Sequence, residues 1–334
     1  MTAICRTPIT HPSAWTSREL GSRDAITRRL TADELADINR LLEQTQGLPP
    51  QSVTRADVGQ PALVALAEDL RATIMHGRGV ILLAGLDPAI YGEEQLERIY
   101  WALGTHLGSA AVQSHSGDRL GRVERDDTDP VARGYRSSGE LTMHTDSYEV
   151  VGLQCIRQAA SGGQSALVSA LAIHNAILDE RPDLLEPLYE GYYLAIAEAR
   201  LSSKPVTDEK IPIFCYVDDL VSCMYAGSFM REAARLKGVD MPAKLAEAIA
   251  YFSKTAERED LALRFMLEPG EILLWHNFTN LHSRTEFEND ATHKRLLLRL
   301  WLTATHSRPY APEFRIRGDA YTRVYQEHQP TGAA

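Results

Sequence analysis

The chain has 334 residues, of which 44% are hydrophobic and 24% are charged. These proportions are typical of soluble globular proteins and exclude a chain that is mainly disordered, collagen-like or coiled coil. The 45 acidic residues outnumber the 35 lysines and arginines, and the resulting net charge of −10 makes nucleic acid a poor partner.

The N-terminal third predicts three helices and one short strand. A capping box at Thr31–Glu34 begins the first helix, and Pro61 opens the second. The third helix spans Glu93–Leu103, and we expect Gly104 to end it. The apolar run Val80–Leu83 predicts a short buried strand between the second and third helices.

After residue 110 the pattern changes to short β-type runs, bounded by turn residues and interrupted by helical stretches. The candidate strands are Thr142–Asp146, Val150–Arg157, Ser165–Val168, Tyr192–Ala195, Ile211–Tyr216, Val221–Tyr225, Ala262–Met266, Glu271–Trp275 and Arg295–Thr303. The candidate helices are Ala170–Leu178, Asp183–Tyr189 and Pro242–Thr255. This pattern favours a mainly β sandwich or barrel with surrounding helices and an N-terminal helical layer. The lack of strand–helix alternation and of a glycine-rich fingerprint argues against a Rossmann fold.

We expect a single domain at residues 31–320, with its core at about 77–303. An irregular N-terminal arm at 1–30 and a C-terminal tail at 321–334 would lie outside it. No apolar run reaches about 18 residues, so we expect no transmembrane helix and no membrane partner. The first residues also lack the apolar segment of a signal peptide. The four scattered cysteines form no CxxC pair, which favours a cytoplasmic protein without a cysteine zinc site.

Among the eleven histidines, His144 is the one followed two residues later by an acid, Asp146. About 1.5 such matches are expected by chance, so the context must carry the argument. In a β-type run the side chains at i and i+2 point to the same face, so the imidazole and the carboxylate converge. Together with a distant histidine they would form the 2-His-1-carboxylate triad of non-haem Fe(II) oxygenases, which leaves three metal positions open. The residues alone leave His276 and His282 as the best candidates for the third ligand.

The run Arg295–Leu302 has two different faces. Its period of two places Arg295, Leu297, Arg299 and Trp301 on one side and leucines on the other. The leucine face requires a core, whereas two half-buried guanidinium groups require acidic partners. A dicarboxylate ligand would meet that need, because arginine binds carboxylates with two parallel hydrogen bonds.

Five segments in this order resemble the taurine dioxygenase-like superfamily, Fe(II)- and 2-oxoglutarate-dependent oxygenases with a double-stranded β-helix (jelly-roll) core. These segments are His144–Asp146, Ser161–Ser165, Leu267–Gly270, Asn280–Phe287 and Arg295–Leu302. The resemblance implies that His144, Asp146 and His282 bind the iron and form the catalytic centre. It also implies that Arg299 and Ser165 bind the distal carboxylate of 2-oxoglutarate, and that Arg295 lies near the other end of this cosubstrate.

Further residues lie in segments placed to cover the mouth of a jelly roll, where they would contact the substrate. These candidates are Gln113, Tyr135, Glu140, Tyr225, Arg231 and His276.

The resemblance implies that O₂ and 2-oxoglutarate oxidise an unactivated carbon of a small polar metabolite, with release of succinate and CO₂. Family breadth favours hydroxylation of an amino acid or a biosynthetic intermediate. The carboxylate of Asp146 argues against halogenation, while desaturation and cyclisation stay open. Two alternatives also stay open: a cupin-like metal dioxygenase without 2-oxoglutarate, and a non-enzymatic jelly roll that binds a metabolite. The sequence leaves open whether the chain forms a homo-oligomer.

Overall fold

The computed structural model describes residues 3–125, 137–196 and 201–329. In these ranges the chain forms nine α-helices and fifteen β-strands. The helices are α1 (Ser17–Leu20), α2 (Ala32–Gln44), α3 (Pro61–Met75), α4 (Glu93–Leu107), α5 (Ala170–Glu180), α6 (Leu185–Glu190), α7 (Gly227–Lys237), α8 (Ala243–Ala256) and α9 (Phe314–Glu327). The strands are β1 (Thr27–Arg29), β2 (Val80–Ala84), β3 (Gly108–Ala110), β4 (Leu120–Val123), β5 (Leu141–His144), β6 (Val150–Arg157), β7 (Ser161–Gly162), β8 (Ser165–Ser169), β9 (Phe214–Val217), β10 (Leu220–Cys223), β11 (Ala262–Phe265), β12 (Ile272–His276), β13 (Asn280–Arg284), β14 (Phe287–Glu288) and β15 (Leu296–Ala304).

Two sheets form the core of the protein. The large sheet has the order β1-β2-β12-β6-β15-β3, with β4 also paired to β15, and the small sheet has the order β11-β8-β13-β5. All of these pairs are antiparallel except β1 with β2. Side chains of both sheets share one hydrophobic cluster, in which Trp275 and Trp301 of the large sheet meet Leu167 of the small sheet. The strands therefore form a β-sandwich with its core between the sheets.

Strand β15 shows the two faces that its sequence predicts. Leu297 and Trp301 point into the cluster between the sheets. Leu296, Leu298, Leu300 and Leu302 point outward and pack with α2, α3 and α4. Burying each such leucine contributes about 1.5–3 kcal/mol, so this face holds the helical layer on the large sheet.

The helical layer begins as the sequence predicts but ends differently. The capping box is present, because Thr31 Oγ1 accepts from the Glu34 backbone N–H at 3.3 Å and the Glu34 carboxylate accepts from the Thr31 N–H at 2.8 Å. Gly104 does not end α4, which continues to Leu107. A Cβ atom at this position would lie 2.8 Å from Cδ1 of Leu300. The glycine therefore allows the helix to approach β15 closely.

The described parts of both terminal segments are more ordered than the sequence predicts. In the predicted arm, β1 pairs with β2, and Trp15 is buried between the sheets. In the predicted tail, residues 321–327 continue α9, and Tyr321 and Val324 are buried. Within the described residues, the arm is therefore not irregular throughout, and residues 321–327 are helical, because both segments carry apolar side chains that complete the core. Residues 31 and 320 are therefore not limits of the packed core.

Most predicted strands shift by a residue or more at one end. Tyr192–Ala195 makes only isolated bridges, to Ile211 and Val206. Strand β5 ends at His144, because the Thr145 N–H donates to the Tyr225 carbonyl rather than to a neighbouring strand. Across the described ranges, none of the helices has the length and apolarity that spanning a bilayer requires.

Candidate active site

Two neighbouring strands of the small sheet bring the predicted metal ligands together. His144 ends β5 and is paired in register with His282 of β13, and their ring centroids lie 4.2 Å apart. Asp146 follows two residues after His144, and its Oδ2 lies 3.6 Å from His282 Nε2. One ligand atom from each of the three residues lies within 4.8 Å of the others. Two imidazole nitrogens and a carboxylate oxygen therefore converge as the sequence predicts.

The loop that carries Asp146 is fixed by residues far away in the sequence. The Asp146 backbone N–H donates to Asn277 Oδ1 at 2.9 Å, and Asn277 Nδ2 donates back to the Asp146 carbonyl at 3.0 Å. Arg317 Nη1 donates to the carbonyls of Thr145 and Asp146, at 2.6 and 3.1 Å. Trp301 Nε1 donates to Asp146 Oδ2 at 2.7 Å. Sequence reasoning missed these contacts, although the period of β15 already pointed Trp301 inward.

The three side chains are held in the protonation states that a metal requires. His144 Nδ1 lies 2.7 Å from the Thr142 carbonyl, which assigns the proton to Nδ1 and leaves the lone pair on Nε2. Burial lowers the pKa of His144, and burial together with the His144 charge lowers the pKa of His282 to about 3. Burial alone would raise the pKa of Asp146, but the positive charge of Arg299 holds it well below its usual range. The site therefore offers neutral imidazoles and an ionised carboxylate.

The triad lies in the wall of a cavity of about 660 Å³. This volume suits two small ligands side by side, since pockets for drug-sized ligands span about 300–1,000 Å³. Among the described residues the lining carries five guanidinium groups and three carboxylates, although the whole chain is acidic. These groups belong to Arg231, Arg284, Arg295, Arg299 and Arg317, and to Glu140, Asp146 and Glu257.

The two arginines that the sequence predicts on β15 both line this cavity, at different distances from the metal ligands. Arg299 lies nearer the metal ligands, with its guanidinium 4.2 Å from the ring of Trp301, the donor to Asp146. Arg295 precedes it by two same-face positions, which separates the two Cα atoms by about 13 Å. Arg295 packs against the turn between β7 and β8, since a Cβ atom placed on Gly163 would lie 3.2 Å from Arg295 Nε. The order from the metal is therefore Arg299 and then Arg295, opposite to the arrangement that the resemblance implies.

Arg295 is buried without counter-charge in the described part of the chain. Its side chain is 4% exposed, and Nε and Nη1 make no hydrogen bond to any described residue. Burial lowers its pKa to about 10, so the group is still charged at neutral pH. Ser165 of β8 is also buried in the lining, two residues from Leu167, the register partner of His282. A buried, unsatisfied guanidinium at this position fits the distal carboxylate of 2-oxoglutarate.

The predicted substrate contacts are only partly placed at the cavity. Glu140, Tyr225 and Arg231 line it. Gln113 does not; it is buried behind Arg299, where its Oε1 accepts from Arg299 Nε at 2.8 Å and its Nε2 donates to the Arg299 carbonyl at 2.9 Å. Gln113 therefore positions Arg299 and was wrongly assigned to the substrate. Tyr135 lies outside the described residues.

His276 was also wrongly placed at the mouth of the cavity. On β12 the side chains of Leu273 and Trp275 point between the sheets, so the period of two turns His276 to the other face. Its ring is 1% exposed, and Nδ1 accepts from the Phe278 backbone N–H at 3.2 Å. It does not line the cavity. His282 is thus the third member of the triad.

Comparisons with known proteins agree with this geometry. A sequence profile of the family described as "taurine catabolism dioxygenase TauD, TfdA family" matches residues 44–301. FR-33289 synthase of Streptomyces rubellomurinus (strain ATCC 31215) is 26% identical over 325 residues, which cover 93% of this chain and 94% of that protein. Taurine hydroxylase-like protein SAT17 of Stachybotrys chartarum (strain CBS 109288 / IBT 7711) is 26% identical over 306 residues, 85% of this chain and 77% of that protein.

Two solved structures share the fold. Asparagine oxygenase in complex with Fe(II), 2S,3S-3-hydroxyasparagine and succinate superposes with a TM-score of 0.66 at 16% identity, over 83% of this chain and 93% of that one. The non-haem iron oxygenase OrfP in complex with Fe, succinate and (3S)-hydroxy-L-Arg gives a TM-score of 0.62 at 13% identity, over 83% and 94%. At such identities the likeness shows the fold.

The profile covers most of the chain, including His144, Asp146, His282 and Arg299. It confirms the predicted family and enzyme class, that of iron- and 2-oxoglutarate-dependent dioxygenases, and the structural likeness confirms the jelly-roll fold with its helical layer. The cupin-like and non-enzymatic alternatives lose their basis. The chain belongs to the taurine catabolism dioxygenase TauD, TfdA family.

Proposed function

We propose that this dioxygenase hydroxylates an unactivated carbon of a small polar metabolite, with Fe(II) bound by Nε2 of His144, Nε2 of His282 and the carboxylate of Asp146. The observation that carries this proposal is the convergence of three ligand atoms within 4.8 Å in the wall of a 660 Å³ cavity. When bound there, Fe(II) with 2-oxoglutarate supplies the activation of O₂, and the products are hydroxylated substrate, succinate and CO₂.

The cosubstrate lies along β15 in this proposal. Arg295 and Ser165 bind its distal carboxylate, and Arg299 faces the keto-acid end near the metal. This exchanges the roles that the sequence resemblance implies for the two arginines. The supporting observations are the partnerless Nε and Nη1 of Arg295, within the described part of the chain, and the packing of Arg299 against Trp301. Gln113 holds Arg299 by hydrogen bonds to the Nε and the backbone carbonyl of that arginine.

The substrate is an amino acid or a related metabolite that carries charges of both signs. Glu140 and Arg231 are exposed side chains in the lining of the cavity and offer one negative and one positive group. Tyr225 lies beside them and is fixed by a 2.5 Å hydrogen bond between its hydroxyl and Ser253 Oγ. The solved structures with hydroxyasparagine and hydroxyarginine support the same substrate class. The four free, buried cysteines support a cytoplasmic location.

The protein contributes rigid positioning to this reaction. β13 is paired with β5 on one side and β8 on the other, so both ligating histidines are held by backbone hydrogen bonds. The Trp301 N–H restrains the Asp146 carboxylate. The buried tryptophans keep water away from the inner side of the metal site, since both are fully buried.

The test is a panel of amino acids incubated with the protein, Fe(II), 2-oxoglutarate and O₂. We expect substrate-stimulated succinate release and a product that has gained one oxygen by mass spectrometry. The variant His282→Ala should lose both signals, and Arg122→Met, on the exposed face of β4, should keep them. If no member of a broad panel stimulates succinate release from iron-loaded wild-type protein, the proposal fails.

A further inference from the structure

A second buried arginine faces the cavity beside Arg295. Arg284 lies on β13 two residues after His282, and the period of two turns both side chains to the cavity. Its side chain is 5% exposed. The guanidinium of Arg284 lies 4.7 Å from the ring centroid of Phe287, and that of Arg295 lies 5.1 Å from the same centroid. One aromatic ring therefore holds both cations.

Two of the three Arg284 nitrogens donate hydrogen bonds within the described residues, and the third does not. Nε donates to the Thr285 carbonyl at 3.2 Å, and Nη2 donates to the carbonyls of Ser137, at 3.1 Å, and Gly139. These bonds fix the plane of the guanidinium. Nη1 is buried and makes no hydrogen bond to a described residue. In the described ranges no carboxylate forms a salt bridge with Arg284 or Arg295.

Two buried cations with unsatisfied N–H groups require an anion. Guanidinium groups stay protonated in proteins, and an uncompensated buried charge is costly. Ser165 of β8 is the register partner of Arg284, so its hydroxyl lies at the same end of the cavity. Nη1 of Arg284, Nε and Nη1 of Arg295 and the Ser165 hydroxyl are four donor atoms at this end of the cavity, and one carboxylate has two oxygens that can accept from several of them.

We propose that Arg284 is a second guanidinium ligand of the distal carboxylate of the 2-oxo acid, and that Arg284 and Arg295 together select a dicarboxylate. This inference rests on the proposed function, because it assigns one further residue to the cosubstrate of that site. Arg284 differs from Arg295 in its backbone anchoring through Ser137 and Gly139, which presents Nη1 in one fixed orientation.

The test compares two keto acids that differ only at the distal end. 2-Oxopentanoate has a methyl group where 2-oxoglutarate has its distal carboxylate. Each acid is titrated calorimetrically into Fe(II)-loaded protein without oxygen. The measured quantity is the Kd of 2-oxopentanoate divided by the Kd of 2-oxoglutarate, which is large when the protein prefers the dicarboxylate. We expect Arg284→Met to lower this ratio by about tenfold to hundredfold, the effect of losing a hydrogen bond between charged groups. Arg295→Met should lower it as well, and Arg122→Met should leave it unchanged.

The ratio separates recognition from a merely structural role. If Arg284 only supports the 137–141 segment, Arg284→Met weakens both acids equally and the ratio stays at the wild-type value, which overturns the inference. Arg284→Lys retains the charge and should keep more of the preference than the Met variant; it also provides the measurement if the Met variant does not fold. Failure of wild-type protein to bind 2-oxoglutarate would instead overturn the proposed function and this inference with it.

Discussion

Replacing Trp301 by phenylalanine tests how the protein holds its metal ligand. Trp301 is fully buried and donates its indole N–H to Asp146 Oδ2 at 2.7 Å. Phenylalanine keeps an aromatic ring but removes that donor. Outer-shell hydrogen bonds of this kind change metal affinity by about 10- to 100-fold. We therefore expect Trp301→Phe to weaken metal binding by about 1.4–2.7 kcal/mol, because the carboxylate loses its restraint.

Trp275→Phe is the matched control for that experiment. Trp275 is also fully buried in the core between the sheets, and its ring lies 4.7 Å from that of His282. Its Nε1 makes no hydrogen bond to any residue that the structure describes. Both substitutions remove the same volume and should cost about 2 kcal/mol of unfolding free energy in the metal-free protein.

Calorimetric titration with Co(II), together with urea unfolding of the metal-free proteins, separates the two effects. Similar stability losses, with weaker metal binding in Trp301→Phe alone, would support the reasoning. Equal metal affinity in the two variants would refute the role of the indole hydrogen bond, whatever their stabilities.

Three further predictions concern the supporting residues. Burial lowers the pKa of three histidines to about 3 or 4. Below pH 6.5 each of them therefore takes up a proton on unfolding. As the pH is lowered, the unfolding free energy should decrease by about 1.4 kcal/mol per pH unit for each histidine. These are His174, His276 and His282. His276→Gln should remove one such contribution from the slope between pH 6 and 5 in urea titrations, and an unchanged slope would contradict the assignment. Gly104→Ala should lower the melting temperature, because its Cβ would meet Leu300 at 2.8 Å, although alanine normally stabilises helices by about 1 kcal/mol; a higher melting temperature would refute the packing argument. Gln113→Leu should raise the KM for 2-oxoglutarate several-fold, since it frees Arg299, and an unaltered KM would show that Arg299 needs no such support.

Local periodicity predicts which face of a strand a residue occupies, and for β15 that prediction agrees with the structure. The period of β15 places Arg299 on the cavity side, whereas Asp146 lies beyond the end of β5, so strand alternation does not set its orientation. The same rule, applied to β12, predicts that His276 points away from the cavity, because its neighbour Trp275 points between the sheets.

Contacts between distant segments could not be predicted in this way. Asp146 forms hydrogen bonds with Asn277, which is 131 residues away in the sequence, and with Arg317, which is 171 residues away. The hydrogen bond between Gln113 and Arg299 joins residues that are 186 positions apart. Each partner is a polar side chain whose local sequence predicts only a turn, a helix or a loop. The order of Arg295 and Arg299 along the cavity also depends on which end of β15 lies near the metal. Pairing of β15 with β6 decides that, and periodicity along one strand carries no information about it.

The architecture separates the parts that hold the metal from the parts that contact the substrate. His144 and His282 lie on paired strands of the small sheet, and Trp301 supports Asp146 from the large sheet. Arg231, by contrast, lies on α7, outside both sheets. Strands paired in a sheet resist local opening, whereas a side chain on a helix at the cavity mouth can change without disturbing any strand pair. Substitutions at Arg231 should therefore change substrate preference while metal affinity stays constant, because within the described residues the α7 backbone makes no hydrogen bond to β5 or β13.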